Sequence, residues 1–489
     1  MTRAKANKDP LVTRLLETLP ASCIVDDTVS MKPYECDGLS GYRQMPRVVV
    51  LPETLEQVQA VMKLCQQTGT PIVPRGAGTS LSGGAMPHKD GVVLSLARLN
   101  RILHIDADNR TATVEAGVRN LQISEAVQGL GLYYAPDPSS QIACTIGGNV
   151  AENAGGVHCL KYGLTVHNIL RIKMVGLDGE LITIGGTALD SPGYDLLALL
   201  MGSEGMLGIV VEVTVRLLPR PQIARVLMAA FDDIEAAGNA VAGVIAAGII
   251  PGGFEMMDKA AIQAAEDFVK AGYPTDAEAI LLCELDGTED DVSSQVERVE
   301  QLLAASGAKE IRLAADELER VRFWSGRKNA FPAMGRISPD YYCMDGTIPR
   351  KELGRVLTKI SRLSIKHELR VANVFHAGDG NLHPLIMYDA NNPDEFRRAE
   401  AFGADILDEC VAVGGTITGE HGVGVEKIDR MCVQFDDDTL SQFRAVRRAF
   451  DPDGLLNPDK AVPTLARCAE FNAMHVHHGK LPHPELERF

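Results

Sequence analysis

A chain of 489 residues is too long for one hydrophobic core, so two or three domains are expected. Its composition, 45% hydrophobic and 23% charged, is that of an ordinary globular protein. With 48 basic against 65 acidic residues, the net charge of −17 argues against a nucleic-acid partner and favours a soluble, self-repelling surface.

The first residues, MTRAKANKDPLVTRLL, carry charges but no apolar signal core, and no apolar run is long enough to span a membrane. A cytoplasmic location is the expectation. RVVVL (47–51) reads as a strand. Thr54 then opens a capping box with Gln57, and Leu55, Val58, Met62 and Cys65 follow at helical spacing as far as Gly69. PIVP is the next strand, so the chain begins β-α-β. GVVLSL (91–96), TATVEAG (111–117) and LGIVVEVTVRLLP (207–219) are further strands, and Asn120 is placed to cap a helix ending at Gly129.

Pro219 and Pro221 interrupt this pattern and put a boundary near residue 222. Strand RVLMAAF, helix AAGNAVAGVIAAG, strand AILLCELDG and helix QVERVEQLLAASG follow, the rhythm of an α+β domain. After Gly414-Gly415 the chain turns helical. The expected units are therefore 1–222, 223–415 and 416–489, in an α+β protein overall. The ten cysteines are dispersed and none forms CxxC, so a cluster or a cysteine zinc knuckle is not expected, and buried reduced thiols are.

Three glycine tracts stand out. PRGAGTSLSGG (74–84) follows a strand directly, and its successive N–H groups can form a concave anion nest. It is not a P-loop, since no Gly-Lys-Ser/Thr closes it. Leu81 occupies the third glycine position of a dinucleotide fingerprint and no helix starts there, so it is not that motif either. CTIGGNVAENAGG (144–156) and MGSEGMLGIV (201–210) are the other two. Singly, each reads equally as a surface turn. Together they point to backbone packed against a large, flat, phosphate-bearing ligand.

HAGDGNLHP (376–384) sits between two apolar strand patterns, VANVF and LIMY. Asp-Gly is a strong hairpin signal. With Asp379-Gly380 as the loop, His376 would lie opposite His383 on one face. Two imidazoles so placed suit one cation, and TGEHGVG, with Glu420 and His421, offers a third ligand. A polar pair at a sheet edge is the plainer reading of the hairpin alone.

The three tracts, in this order, resemble the FAD-binding (PCMH-type) domain of the vanillyl-alcohol-oxidase-type flavoproteins. HAGDGNLH, GEHGVG and FDPDGLLNPDK narrow the resemblance to the D-2-hydroxy-acid dehydrogenase branch. YECDGLSGYR (34–43), the 133–163 stretch and CAEFNAMHVHHG (468–479) make it similar to the flavin-bearing subunits of glycolate-oxidising complexes.

The resemblance implies a two-subdomain FAD-binding domain, an α+β substrate (cap) domain and a helical C-terminal segment that completes the active site. It implies a pyrophosphate nest at Arg75, Gly76, Ala77, Gly78 and Thr79, with Gly83. Gly147, Gly148, Asn153 and Gly155 would line the flavin, and Glu204, Gly205, Gly208 and Ile209 would lie along the FAD. A divalent metal, zinc or manganese, would take His376, His383 and Glu420; His421 would be the base. Arg327 would hold the substrate carboxylate, with Arg322, Lys328 and Arg336 competing for that role. Phe331 and Cys343 occupy places where relatives using longer diacids have polar or basic side chains, which favours a short substrate.

The implied reaction is oxidation of glycolate to glyoxylate, with D-lactate as a second substrate. D-lactate or D-2-hydroxyglutarate as the main substrate is the nearest rival. A metal-dependent hydrolase is a rival of another class, against which the phosphate cradles argue; an inert flavin-bearing subunit is a third. Flavinylated relatives carry a histidine in the glycine loop, and 75–84 has none, so the FAD is expected to be non-covalent. With no second redox centre in the chain, an iron–sulfur subunit is the expected electron acceptor. A second flavoprotein-like subunit would complete the complex, and membrane contact would come only through these partners. His475, His477 and His478 are either a docking element or a solvated tail.

Overall fold

The protein is described here from a computed structural model, which covers residues 9–188 and 193–464; the tail with His475, His477 and His478 lies outside the described residues.

The β-α-β start forms as the sequence dictates. Helix Leu55–Thr68 follows strand Val48–Val50, and Thr54 Oγ1 accepts the N–H of Gln57 at 3.3 Å. Gly69, at φ 62°, ends the helix in the left-handed region that glycine tolerates. The capping box is only half made: the Gln57 side chain accepts the N–H of Glu53 at 2.7 Å rather than returning to Thr54. Asn120 also departs from expectation. It is the first residue of helix Asn120–Val127, not its cap, and its amide donates to the Pro136 carbonyl at 3.0 Å.

Two sheets build the N-terminal half. One runs in the order Ile24–Val25, Val48–Val50, Val92–Ser95, Ile72–Arg75, the last three strands parallel. The other is antiparallel, in the order Ile102–Asp106, Thr111–Glu115, Ile209–Arg216, Ile169–Val175, Leu181–Gly185. Val58, Val61, Met62 and Cys65 of the first long helix pack on Val48, Val50, Ile72, Val92 and Leu94.

A seven-stranded antiparallel sheet begins at Ile223. Its order is Glu310–Leu313, Ile223–Phe231, Ala279–Gly287, Gly253–Asp258, Val371–His376, Pro384–Tyr388, Asp340–Cys343. Both faces are covered, which is why strand Ile223–Phe231 reads apolar at nearly every position. Leu227, Ala229 and Phe231 join the core with Val241, Val299, Leu357 and Phe402. Val226, Met228 and Ala230 turn the other way, toward Ile262, Phe323 and Trp324.

The histidine hairpin corrects the expected register. Val371 pairs with Ile386, Asn373 with Pro384, and His376 bridges to Asn381, so His376 does not lie directly opposite His383. The loop has four residues, 377–380, because Gly380 donates to the His376 carbonyl at 3.1 Å and Asp379 Oδ1 takes the Asn381 N–H at 3.0 Å. A slip of two residues leaves a side chain on its original face. The two imidazoles therefore remain neighbours, their ring centroids 5.2 Å apart.

The C-terminal segment returns to the N-terminal half. Ile72 donates to the Leu455 carbonyl at 2.8 Å, and Asn457 donates to the Ile72 carbonyl at 2.7 Å. Among the described residues eight cysteines are free thiols, seven of them buried. Among the described residues no helix is long and apolar enough to cross a membrane.

Candidate active site

The three glycine tracts meet. One cleft is lined by residues 74–81, by Gly147, Gly148, Asn149 and Gly155, and by Ser203, Glu204, Gly205, Gly208 and Ile209. Close backbone approach is what the glycines provide. A side chain on Gly76 would strike Thr145, and one on Gly205 would strike Pro74. Among the described residues, the N–H groups of 77–80 donate to no protein acceptor. Four adjacent free donors on a glycine loop suit a pyrophosphate. The cleft therefore fits a dinucleotide on its own geometry.

Arg75 lines the cleft, whereas Gly83 and Asn153 stand behind its lining. Arg75 does not offer its guanidinium to the nest; Nη1 and Nη2 donate to the Cys36 and Pro33 carbonyls at 2.7 and 3.3 Å, and the group lies against Gly78. Gly83 packs on Val425. Asn153 closes helix Ile146–Glu152 in a left-handed conformation, and its Oδ1 takes the Val166 N–H at 2.9 Å. All three hold the walls of the cleft in place.

The cleft is also lined by Glu420 and His421. Here His376, His383 and Glu420 converge, each offering a ligand atom within 4.8 Å of the others. His383 Nε2 is 3.0 Å from Glu420 Oε1, and His376 Nε2 is 3.4 Å from it. The other ring nitrogens are committed. His376 Nδ1 bonds Glu255 Oε1 at 2.7 Å, and His383 Nδ1 faces the Met344 carbonyl at 3.3 Å. Such outer partners orient imidazole ligands so that both Nε2 atoms face one point.

The charges agree with this. Burial alone would raise Glu420, but the bonds from His376 and His383 hold it well below the ordinary carboxylate range. Burial opposes charge on His376, yet Glu255 and Glu420 override it and raise its pKa well above that of a free imidazole. A cation would displace that proton. The donor set, two nitrogens and a carboxylate, fits a divalent transition metal.

His421 stacks on His383, centroids 5.0 Å apart and planes at 8°. Burial first, then His383 and Lys427, outweigh Asp345 and push its pKa down to about 4, leaving a neutral imidazole. Nδ1 is buried without a partner, and Nε2 stands 3.9 Å from Glu420 Oε1.

Arg327 is buried, whereas Arg322, Lys328 and Arg336 are exposed. Its Nε and Nη2 both lie 2.7 Å from Glu255 Oε2, and among the described residues Nη1 has no protein partner. Glu255 thus links Arg327 to His376. Phe331 sets its ring against His383, with 6.3 Å between centroids. Cys343 is buried beside the cluster, and its thiol can reach the same region as His383 and His421.

Glu255 and two further residues were not anticipated from the sequence. Asp345 is wholly buried and accepts the N–H groups of Gly419 (3.1 Å), Glu420 (3.1 Å) and His421 (2.9 Å), together with the Thr418 hydroxyl (2.5 Å). Lys427, also fully buried, reaches Asp345 Oδ2 at 3.1 Å and the Gly422 carbonyl at 2.9 Å. A strand-end acid and a lysine seven residues beyond Glu420 carry no motif of their own.

The chain is similar to known proteins over nearly its whole length. Residues 46–185 match the family model described as FAD binding domain, and 220–461 match FAD linked oxidases, C-terminal domain. The chain is 64% identical to glycolate oxidase subunit GlcD of Escherichia coli (strain K12), over 99% of this chain and 97% of that one. It is 39% identical to the subunit of the same name from Bacillus subtilis (strain 168), over 90% and 94%. With a D-lactate dehydrogenase of Anaerostipes hadrus it shares 31% identity, over 92% and 96%. A solved structure of p-cresol methylhydroxylase with substrate bound superposes with a TM-score of 0.79 at 20% identity, covering 93% of this chain and 97% of that one, and shows the fold.

Replacing Lys427 by Met leaves the Asp345 carboxylate buried without its cation. The expected loss is about 3–5 kcal/mol, read as a lower denaturant midpoint. Adding Asp345→Asn to that variant should restore part of the loss, since the stranded charge is then gone.

Proposed function

Because the chain belongs to the family of FAD-linked oxidases, we propose that it oxidises glycolate to glyoxylate, with D-lactate as a second substrate. The observation that carries this reading is that Glu420 and His421 line the same cleft as the three glycine tracts. Bound FAD supplies the acceptor for the two electrons and the α-hydrogen that leave the substrate. It would rest on the free N–H groups of 77–80 and between the 147–155 and 203–209 tracts, held without a covalent bond. A divalent cation, zinc or manganese, would be held by His376, His383 and Glu420, and supplies Lewis acidity toward a hydroxyl oxygen.

The chain's own groups do the rest. Arg327 Nη1, aligned by Glu255, takes the substrate carboxylate in a charge-assisted hydrogen bond. That fixes which hydrogen of the α-carbon faces the cleft. His421 is neutral and takes the hydroxyl proton on Nε2, the nitrogen on the Glu420 side. The ring of Phe331 and the thiol of Cys343 leave no second cation to bind a distal carboxylate, which suits a short acid.

D-lactate as the main substrate is supported by the relative of that name, and a panel of 2-hydroxy acids separates the two. Electrons leave through an iron–sulfur subunit, with a second flavoprotein-like subunit completing the complex. Such partners would bring the chain to the membrane.

The purified protein is expected to be yellow and to bleach on anaerobic addition of glycolate. Acid precipitation should leave the colour in solution; colour retained in the pellet contradicts a non-covalent cofactor. His376→Ala should lose bound metal and turnover while keeping the flavin spectrum, since the hairpin and the glycine cleft are built from different sheets. Full turnover without metal would disprove the ligand assignment. His421→Asn should slow flavin reduction by roughly 10²–10⁴ with little change in glycolate affinity, measured by stopped flow.

A further inference from the structure

Glu152 is the last residue of helix Ile146–Glu152, and it lines the cofactor cleft. Its Oε2 is shut off from solvent and, among the described residues, has no hydrogen-bond partner. It lies against Gly422, the chain neighbour of His421, which lines the same cleft. Glu204 faces it across the same glycine: a methyl group on Gly422 would collide with Glu152 Oε2 and stand 3.0 Å from Glu204 Oε1.

Two carboxylates so close in a dry site do not both stay ionised. Hydrogen bonds decide which one holds the proton. Glu204 accepts the N–H groups of Val423 and Gly424 at 2.7 and 2.8 Å. Glu152 has no such donor. The nearby Lys427 is committed to Asp345 and to the Gly422 carbonyl. The carboxyl end of the helix adds negative potential. Burial first, then Glu204, raise Glu152 well above the ordinary carboxylate range. Burial raises Glu204 too, but its two N–H donors pull it back. The proton therefore belongs on Glu152.

We propose that Glu152 is an uncharged carboxylic acid that donates a hydrogen bond to the flavin ring and so favours its reduced form. The inference rests on the FAD reading above. A donor gains strength when its acceptor becomes electron-rich, roughly doubling its contribution. An ionised carboxylate at this place would do the opposite and repel the electrons.

The test uses holoenzyme with E152Q and E152A, the flavin midpoint potential being read by spectroelectrochemical titration. Glutamine is uncharged, similar in shape and keeps an N–H donor, so E152Q should hold the preference for reduced over oxidised flavin to within about twofold. Alanine removes the donor, and that preference should fall about tenfold, a potential lower by ~30 mV. A higher potential in E152Q would show that the wild-type group is a carboxylate, and an unshifted E152A would show that it makes no bond to the ring; either result overturns the proposal. Infrared spectra give a second reading should E152A not fold: wild type should show a carboxylic-acid C=O band that E152Q lacks, and its absence from wild type overturns the proposal as well. Wild-type protein that binds no flavin at all would instead remove the FAD reading on which this inference stands.

Discussion

The loop from Gly419 to Gly424 holds the site together, and two buried carboxylates hold the loop. Asp345, on the chain just past a strand of the seven-stranded sheet, gathers the N–H groups of 419, 420 and 421. Glu204, from the glycine-rich half, takes those of 423 and 424. A glycine-rich loop has little tendency of its own to hold one shape. Here nearly every donor along it is captured, so the loop becomes a rigid staple between the two halves. Ion–dipole bonds of this kind are short and strong where water is excluded.

That arrangement is costly unless Asp345 is neutralised. Lys427 does this from within the same segment, with no solvent exposure. Burying a charge pair seldom stabilises a fold relative to an apolar pair. What it supplies here is position: Glu420 and His421 are set side by side, both against His383 and both lining the cleft. Glu255 repeats the principle on the opposite side, where a single buried carboxylate fixes both the His376 ring and the Arg327 fork. Three acids thus act on the site without themselves touching a substrate. The fourth, Glu152, differs in having no donors, which is why it stays protonated.

Local chemistry wrote much of the fold into the sequence. The Thr54 cap, the Gly69 stop and the alternation of the strands follow from side-chain preference and spacing, and they formed where expected. The hairpin register did not, because Asp379 and Gly380 sit within a four-residue loop and the side-chain bond from Asp379 to Asn381 sets its shape. The error was harmless to the site, since an even slip preserves the face. Gly83 packs on Val425, Asn153 ends a helix and the Arg75 guanidinium meets two carbonyl groups, because glycine, asparagine and arginine satisfy packing, helix ends and carbonyl groups as readily as ligands.

What the sequence by itself determined were the residues whose chemistry is local: the three glycine tracts, the paired histidines, and the adjacent Glu420 and His421. Each depends on neighbours a few positions away. What only the tertiary structure decided were the residues that act across the chain, Asp345, Lys427, Glu255 and the Glu152–Glu204 pair. Their partners lie far off in sequence, and nothing in an isolated acid or lysine signals that it will be buried. A charge buried without water must find its compensation in three dimensions, and that compensation is visible only once the two halves close on the loop.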